Sequence, residues 1–446
     1  MKLPVPPPRP EQLNQMSEAE LRAALHCTAG QAPGGKYLHW DKLRHKAPPS
    51  GLNSRQWWFA IKRARRASYR EIPLTGGAGQ PFVYTMPDPL LAGLHRIDSH
   101  ASGRIAAPEP VTSEESRDRF LISSLIEEAI TSSQLEGAST TRQEAAQMLR
   151  EHRRPRDKSE QMILNNFEAM RHIVKLGDEP LSLDLILDLH ARLTQSTLED
   201  PDTAGRLQRP QEQRVQVVDH RDGTVLHTPP PAECLPAQIE ALTRFANAEA
   251  QGDGFLHPII RAIILHFWLA YIHPFVDGNG RVARALFYWS AARAGYWLLE
   301  YVSISRVIKQ APARYARSFL YTETDENDLT YFLIDQVAVV NRALEQLDRY
   351  LKAKSEQISR IMDLLHDNRH LNHRQIALLG HGIRKPGHRY TIKTHQTSHQ
   401  VAYATARKDL LDLARMGLLE SRPLDKKTQG FVAPHDLEQR LTNLPG

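Results

Sequence analysis

The run His273-Pro274-Phe275-Val276-Asp277-Gly278-Asn279-Gly280-Arg281 gathers an imidazole, a carboxylate, two glycines and a guanidinium within nine residues. An imidazole takes a proton from a hydroxyl near neutral pH. Glycines let a phosphate come close to backbone N–H groups, and a helix N-terminus offers such groups together with a positive dipole. Gly278, Asn279 and Gly280 stand just before a helix predicted to start near Arg281, so they form an anion cradle. Arg281 and Arg284 are one helical turn apart, and both guanidiniums are expected to point at one polyphosphate. Asp277 adds a carboxylate beside the cradle, where a Mg²⁺ ion bridging phosphate oxygens needs an oxygen ligand. Together these groups fit phosphoryl or nucleotidyl transfer, with His273 as general base and the cradle stabilising charge on the reacting phosphate. Without that chemistry they would make a polar interhelical loop ahead of a capped helix.

Two helices must hold this loop. Pro258 suits a first helical turn, and Ile260, Ile263, Ile264, Phe267 and Tyr271 form a broad apolar stripe, predicting a buried helix over 258–272 that delivers His273 at its end. Pro274 cannot continue it, and Phe275 anchors the loop in the core. A second helix is predicted over 280–294. Further helical patterns cover 159–176, 181–195, 236–250 and 304 to about 365, and Ser113 with Glu114 and Glu115 marks a start that runs to Gly137. One stretch departs from helix: Arg214 to Pro231, where VQVV and TVLH flank DHRDG, reads as a β-hairpin turning near Asp222 and Gly223.

HPFVDGNGRVAR matches the signature HxFx(D/E)GN(G/K)RxxR, and the chain thereby resembles the Fic family of AMP transferases. The preceding HPIIRAIILHFWLAYI, the upstream LDLHARL with Gly205 and Arg206, and the hairpin follow in that family's usual order, extending the resemblance over roughly 111–345. The resemblance implies a mainly α fold: a Fic-type helical core with a β-hairpin flap. It implies ATP as substrate with Mg²⁺ positioned by Asp277. His273 would deprotonate a Tyr, Thr or Ser hydroxyl of a target protein, and Gly278, Asn279, Gly280 and Arg281 would hold the α and β phosphates. Arg284 would meet the γ-phosphate. The flap, 214–228, would align the target by strand addition. Tyr315 and Tyr321 are expected either to line the adenine pocket or simply to fill core. The same His273 and Mg²⁺ can activate water, so removal of AMP stays open as the reverse reaction.

TSSQLEGAS, 131–139, resembles the family's inhibitory motif (S/T)xxxE(G/N) in its N-terminal arrangement. It carries Ser132 and Glu136 four apart, on a helix predicted over 114–137 that Gly137 ends. Glu136 paired with Arg284 would deprive the γ-phosphate of its partner.

Beyond the core, IMDLLHD, HRQIALLGHG and the long THQTSHQVAYATARKDLLDLARMGLLE read as three helices, with Leu418, Leu419, Phe431 and Val432 flanking a wing around Lys426 and Lys427. This resembles a winged helix-turn-helix domain, with Ser398 as N-cap, Gln400, Thr405, Arg407 and Lys408 outside, and Val401, Ala404, Leu411 and Leu418 inward. Net charge is +6, and residues 355–433 hold 13 Lys+Arg against 7 Asp+Glu, which leaves 44 of each elsewhere. That excess suits a DNA phosphate backbone, though such domains also dock proteins. Seven histidines between His366 and His399 match no compact metal spacing.

Residues 1–110 begin with a proline-rich lead and carry NSRQWWFAIKRARRASYR, a helix capped by Asn53 or Ser54 with Trp57, Trp58 and Ile61 inward and Lys62, Arg65 and Arg66 exposed. A docking or scaffold role is favoured over nucleic-acid binding there. Three domains are expected: 1–110, 111–345 and 346–446. Hydrophobic residues at 41% and charged at 24% describe a globular chain. Cys27 and Cys234 offer neither a disulfide framework nor a metal spacing, the lead lacks an export signal, and Arg261 and His266 interrupt the longest apolar run, so a cytoplasmic protein without a membrane span is expected. Homodimerisation is left open. The competing function is a DNA-binding regulator whose Fic-like core senses nucleotide.

Overall fold

Side-chain caps and helical apolar spacing account for most element boundaries. The computed structural model describes residues 2–9, 16–77, 79–101, 114–219, 221–247, 255–366, 371–423 and 429–442. The N-terminal segment forms α1 (Glu18–His26), α2 (Trp40–Leu43), α3 (Ser54–Arg66), an antiparallel pair β1 (Arg70–Thr75) and β2 (Pro81–Tyr84), and α4 (Asp88–Ala101). There follow α5 (Glu114–Leu135), α6 (Arg142–Glu151), α7 (Lys158–Leu176) and α8 (Leu183–Thr194). A second antiparallel hairpin, β3 (Val217–Val218) with β4 (Val225–His227), leads to α9 (Leu235–Asn247), α10 (Pro258–Ile272), α11 (Asn279–Arg293), α12 (Ile304–Gln310), α13 (Pro312–Thr324) and α14 (Thr330–His366). The remainder is α15 (His373–Arg384), β5 (Arg389–Thr391), α16 (Ile392–His399), α17 (Tyr403–Arg415), β6 (Glu420–Pro423), β7 (Gln429–Val432) and α18 (Leu437–Thr442). Asn53, Thr141, Asp157, Ser182 and Ser303 accept N–H bonds from the first turns of α3, α6, α7, α8 and α12. The fold is mainly helical, as expected.

Two compact units divide the chain, 1–347 and 348–446. In the first, α10 and α11 are buried on nearly every side and therefore central, with Phe267, Trp268, Phe275, Phe287 and Trp289 almost fully buried. The N-terminal extension falls within this unit. Arg65, expected outside, is fully buried: it donates to Gln31 O, Leu38 O and Tyr331 Oη and stacks 3.5 Å from the Tyr37 ring centroid. Lys62 is likewise buried, 2.8 Å from Asp325 and 3.2 Å from Glu326, so of the three cations expected outside only Arg66 is exposed. Tyr37 and Tyr69 both donate to Asp328. Charges become buried where partners satisfy every donor, and these partners lie far away in sequence.

Other expectations shift. The helical pattern over 304–365 resolves into three helices, because Pro312 restarts it and the turn at Glu326 and Asn327 takes positive φ. The pair β1–β2 and helix α6 were not anticipated.

The second unit orders its antiparallel sheet β5-β7-β6 beneath α15, α16 and α17, around Leu379, Leu410, Leu413, Leu418 and Phe431. Its long third helix is two, because Gln400 takes φ 50 between them. Ser398 is therefore inside α16, and the position before α17 is Ala402, without a side-chain cap. α17 buries Ala406, Asp409, Leu410 and Leu413, so Ala404 faces out and Thr405 is half-buried. Buried Asp409 accepts from Asn372 and Arg374 and lies 3.2 Å from His395 Nε2. Lys426 and Lys427 lie outside the described residues. Among the described residues no helix is long and apolar enough to cross a membrane.

Candidate active site

α10 ends where His273, its C-cap, turns left-handed at φ 48 while its N–H still donates to Leu269 O. The chain then crosses Pro274 and Phe275. The Phe275 ring is fully buried and stacks on His190 of α8 with centroids 3.8 Å apart and planes 5° apart. Asn279 reaches back to both backbone groups of Phe275, accepting from its N–H at 2.9 Å and donating to its carbonyl at 2.8 Å. The amide fixes the width of the loop, a duty additional to any contact with phosphate. Gly278, at φ 85, opens α11, and a methyl group on it would come 2.8 Å from the Thr194 side chain. Strain and crowding both select glycine there.

Spacing alone places His190 on a core helix, yet it carries the loop from below. Its Nε2 donates to Asp277 O at 3.0 Å and its Nδ1 accepts from Gly205 N–H at 3.0 Å. Burial pushes its pKa down to about 4, so the ring is a neutral strut. A lone histidine in the apolar frame of LDLHARL, fifteen residues ahead of Gly205, is the available signal.

His273 faces a different task. Its Nδ1 is 3.1 Å from Ala270 O. A carbonyl only accepts, so Nδ1 carries the hydrogen and the Nε2 lone pair is left as the base. Burial pushes the ring's pKa down to about 4; the Ala270 bond and the Glu136 carboxylate oppose this, and His227 and Arg214 assist it. Over the ring opens a cavity of about 220 Å³, lined by Glu136, Ala270, Gly280, Arg284 and Tyr315 among others. Tyr315 is placed in that wall by a 2.9 Å contact between its hydroxyl and His266 Nε2. Tyr321 is elsewhere, stacked on His39 at 4.4 Å.

Arg281 and Arg284, in the first turns of α11, diverge, against expectation. Arg281 is buried and donates to Leu193 O, an end carbonyl of α8, at 2.7 Å and toward Asp277 at 3.4 Å. Carbonyls at a helix C-terminus lack intrahelical donors, and one of them has captured this guanidinium. Arg284 turns to the end of α5. Its Nε donates to Ser132 Oγ at 2.8 Å, and its Nη2 donates to Ser132 O at 3.1 Å and to Glu136 Oε1 at 2.8 Å. α5 stops through paired bonds from Ala138 N to Ser133 O and from Gly137 N to Gln134 O, with Gly137 at φ 96, the geometry of a Schellman stop. This turn lays Glu136 against the first turn of α11 so closely that a methyl group on Gly280 would collide with its carboxylate. Farther back, buried Glu128 accepts from Tyr288 and Ser303 and from the Ser305 backbone, anchoring α5.

Asp277 is the remaining member, with a side chain 44% exposed. Among the described residues no cluster of three or more metal-ligating side chains forms. A single exposed carboxylate fits Mg²⁺ nonetheless, because that ion takes one or two carboxylates and fills its shell with phosphate oxygens and water.

Residues 180–291 match the Fic/DOC family, and this span contains α8, the β3–β4 hairpin, α10, the loop and most of α11. The chain is 36% identical over 137 residues to the protein adenylyltransferase Fic of Nematostella vectensis, which is 30% of this chain and 29% of that one. It is 37% identical over 111 residues to the protein of the same name from Drosophila melanogaster, 25% of this chain and 20% of that one. The match thus spans less than a third of either relative. A Fic family protein from Desulfovibrio desulfuricans G20 superposes with a TM-score of 0.53 at 18% identity, covering 78% of this chain and 97% of that one, a likeness of fold. The chain carries a Fic/DOC family domain and has Fic adenylyltransferases among its homologues.

Proposed function

We propose that this chain is a protein adenylyltransferase, moving AMP from ATP to a Tyr, Thr or Ser hydroxyl of a protein docked on hairpin 214–228. The observation that carries this reading is the arrangement of His273: a neutral imidazole, its Nε2 lone pair free, at the wall of a cavity that also holds Gly280 and Arg284 of α11's first turns. In the reaction the acceptor oxygen attacks the α-phosphorus and its proton passes to His273 Nε2. The bond between that phosphorus and the α–β bridging oxygen breaks, and pyrophosphate leaves. Backbone N–H groups at Gly278, Asn279 and Gly280 hold the phosphates through the helix dipole, as an oxyanion site holds developing charge. Arg281, held under the loop, contributes through Asp277 and the loop's shape, and Arg284 takes the γ-phosphate once Glu136 lets go. Asp277 would hold Mg²⁺, which when bound neutralises phosphate charge. Glu136 and Ser132 make the resting state inhibited, because they occupy the guanidinium that ATP needs. Incubating the Glu136→Gly variant with cell lysate and ATP labelled on the α-phosphate tests the reading. Label on protein supports it, and label on free AMP alone refutes it.

The lowered pKa of His273 sets a pH dependence. The ring must be neutral to accept a proton, and a ring titrating at about 4 is neutral throughout the range above that value. In the Glu136→Gly variant kcat/KM is expected to stay level as pH falls from 8 to about 5 and to drop only as pH passes through about 4, where ordinary histidine chemistry would fail near 6.5. An acid limb centred at the ordinary value would show a hydrated ring and a different base.

The second unit supports a companion proposal, contact with a DNA backbone. The exposed face of α17 presents Arg407 and Lys408, with Gln400 exposed just ahead of it. An electrophoretic shift that weakens steeply with salt is the expected result. A shift insensitive to salt, or none, favours a protein partner.

A further inference from the structure

A helix leaves its last carbonyls without intrahelical donors. Across the end of α10 the carbonyls of Tyr271, Ile272, His273 and Pro274 run in sequence, and each is taken by the stretch of chain between Gln208 and His227. His227 Nε2 donates to Tyr271 O at 2.7 Å. Arg214 donates through Nη2 to Ile272 O at 2.7 Å and through Nη1 to His273 O at 3.2 Å. Gln208 N–H donates to Pro274 O at 2.8 Å.

These grips reach outward as well. Arg214 Nε donates to Pro230 O at 2.9 Å, and its Nη1 also donates to Gln208 Oε1, so one guanidinium joins both feet of the hairpin to the catalytic helix. His227 directs its Nδ1 to Glu323 Oε2 of α13 at 2.8 Å. The hairpin itself has little to hold it in place. Its strands are two and three residues long, and such a pair alone is marginal in water. Its placement over His273 therefore depends on side chains.

We infer that Arg214 and His227 are positioning residues: they make the acceptor-docking hairpin and the helix end that carries the base one rigid piece. An acceptor strand laid on β3–β4 is then held at a fixed height above His273 Nε2. The role in catalysis rests on the adenylyl-transfer reading, while the mechanical coupling stands without it.

Hydrogen exchange reads the coupling with no turnover. In Arg214→Ala, exchange is expected to quicken about tenfold or more in both 214–219 and 270–276 while the interior of α11 keeps its protection. Arg214→Lys, which keeps a cation but not a fork spanning two carbonyls, is expected to fall between. Unchanged exchange in either segment overturns the coupling, and so does uniform loss throughout the unit, which would make Arg214 a folding residue only. AMP transfer to the chain itself from α-labelled ATP, in the Glu136→Gly background, reads the positioning. Arg214→Ala and His227→Ala are each expected to slow it about a hundredfold, as misplacement by an ångström does, with ATP affinity kept within about twofold. Transfer unchanged by both substitutions overturns the positioning role. A Glu136→Gly parent that labels nothing sinks the adenylyl-transfer reading instead, and exchange alone then decides the coupling.

Discussion

Glu136→Gly is expected to raise AMP transfer about ten- to a hundredfold, a change of about 1.4 to 2.8 kcal/mol in the barrier. Arg284 is held by three bonds, two to Ser132 and one to Glu136. Removing the carboxylate breaks the ion pair but leaves both Ser132 bonds, so the guanidinium stays near its place with one edge released for the γ-phosphate. It also clears the space above Gly280, where the carboxylate now blocks close approach to the start of α11. The change does little to the fold. The Glu136 side chain is 24% exposed, it follows the last residue of α5, and the Schellman bonds that end the helix are backbone bonds of Ser133, Gln134, Gly137 and Ala138. Buried Glu128 keeps α5 attached. Glu136→Gln, similar in shape and uncharged, separates the two contributions: an intermediate rise means that charge and bulk both inhibit. Initial rates with α-labelled ATP decide the matter. Wild type and Glu136→Gly labelling at one rate would remove α5 from the regulation of this site.

Much of this was legible because the signals are local. Pro258 with its apolar stripe predicts α10 to the residue, and Gly278 to Gly280 predict the start of α11 within two. The turn of the β3–β4 hairpin follows from Asp222 and Gly223, and Gly223 indeed takes φ 70. What escaped is what depends on distant partners. Arg65 reads as a surface cation beside Lys62 and Arg66, and only the fold brings Gln31, Leu38, Tyr37 and Tyr331 around it. Arg281 and Arg284 share a helix face by spacing, yet the end of α8 captures one and the end of α5 the other. Arg214 and His227 carried no motif at all, because carbonyls at a helix end are invisible in side-chain spacing. The β1–β2 pair, by contrast, has a local signal. Ile72 and Leu74 alternate inward, as do Phe82 and Tyr84, around a glycine-rich turn, which is a hairpin pattern at sequence level.

Loss of the base is the second large effect. His273→Ala, in the Glu136→Gly background, is expected to cut AMP transfer by about 10² to 10⁴, the usual contribution of a positioned general base. ATP binding should survive, because the cradle is backbone at Gly278 to Gly280 and its cation is Arg284. The backbone of His273 complicates this variant. It is left-handed at φ 48, a conformation that costs an alanine about 1 to 2 kcal/mol and that asparagine tolerates better. Alanine could therefore lose activity by letting the loop relax. His273→Asn removes the base while favouring the turn that the N–H bond to Leu269 O completes. If both variants bind ATP like the parent and both fail to transfer, the imidazole is the base. If His273→Asn keeps transfer within about tenfold of the parent, the histidine was serving the turn and the proton leaves by another route. The same pair addresses the nucleotide-sensing alternative, since a core that only senses ATP would respond to nucleotide equally with histidine, alanine or asparagine at this position.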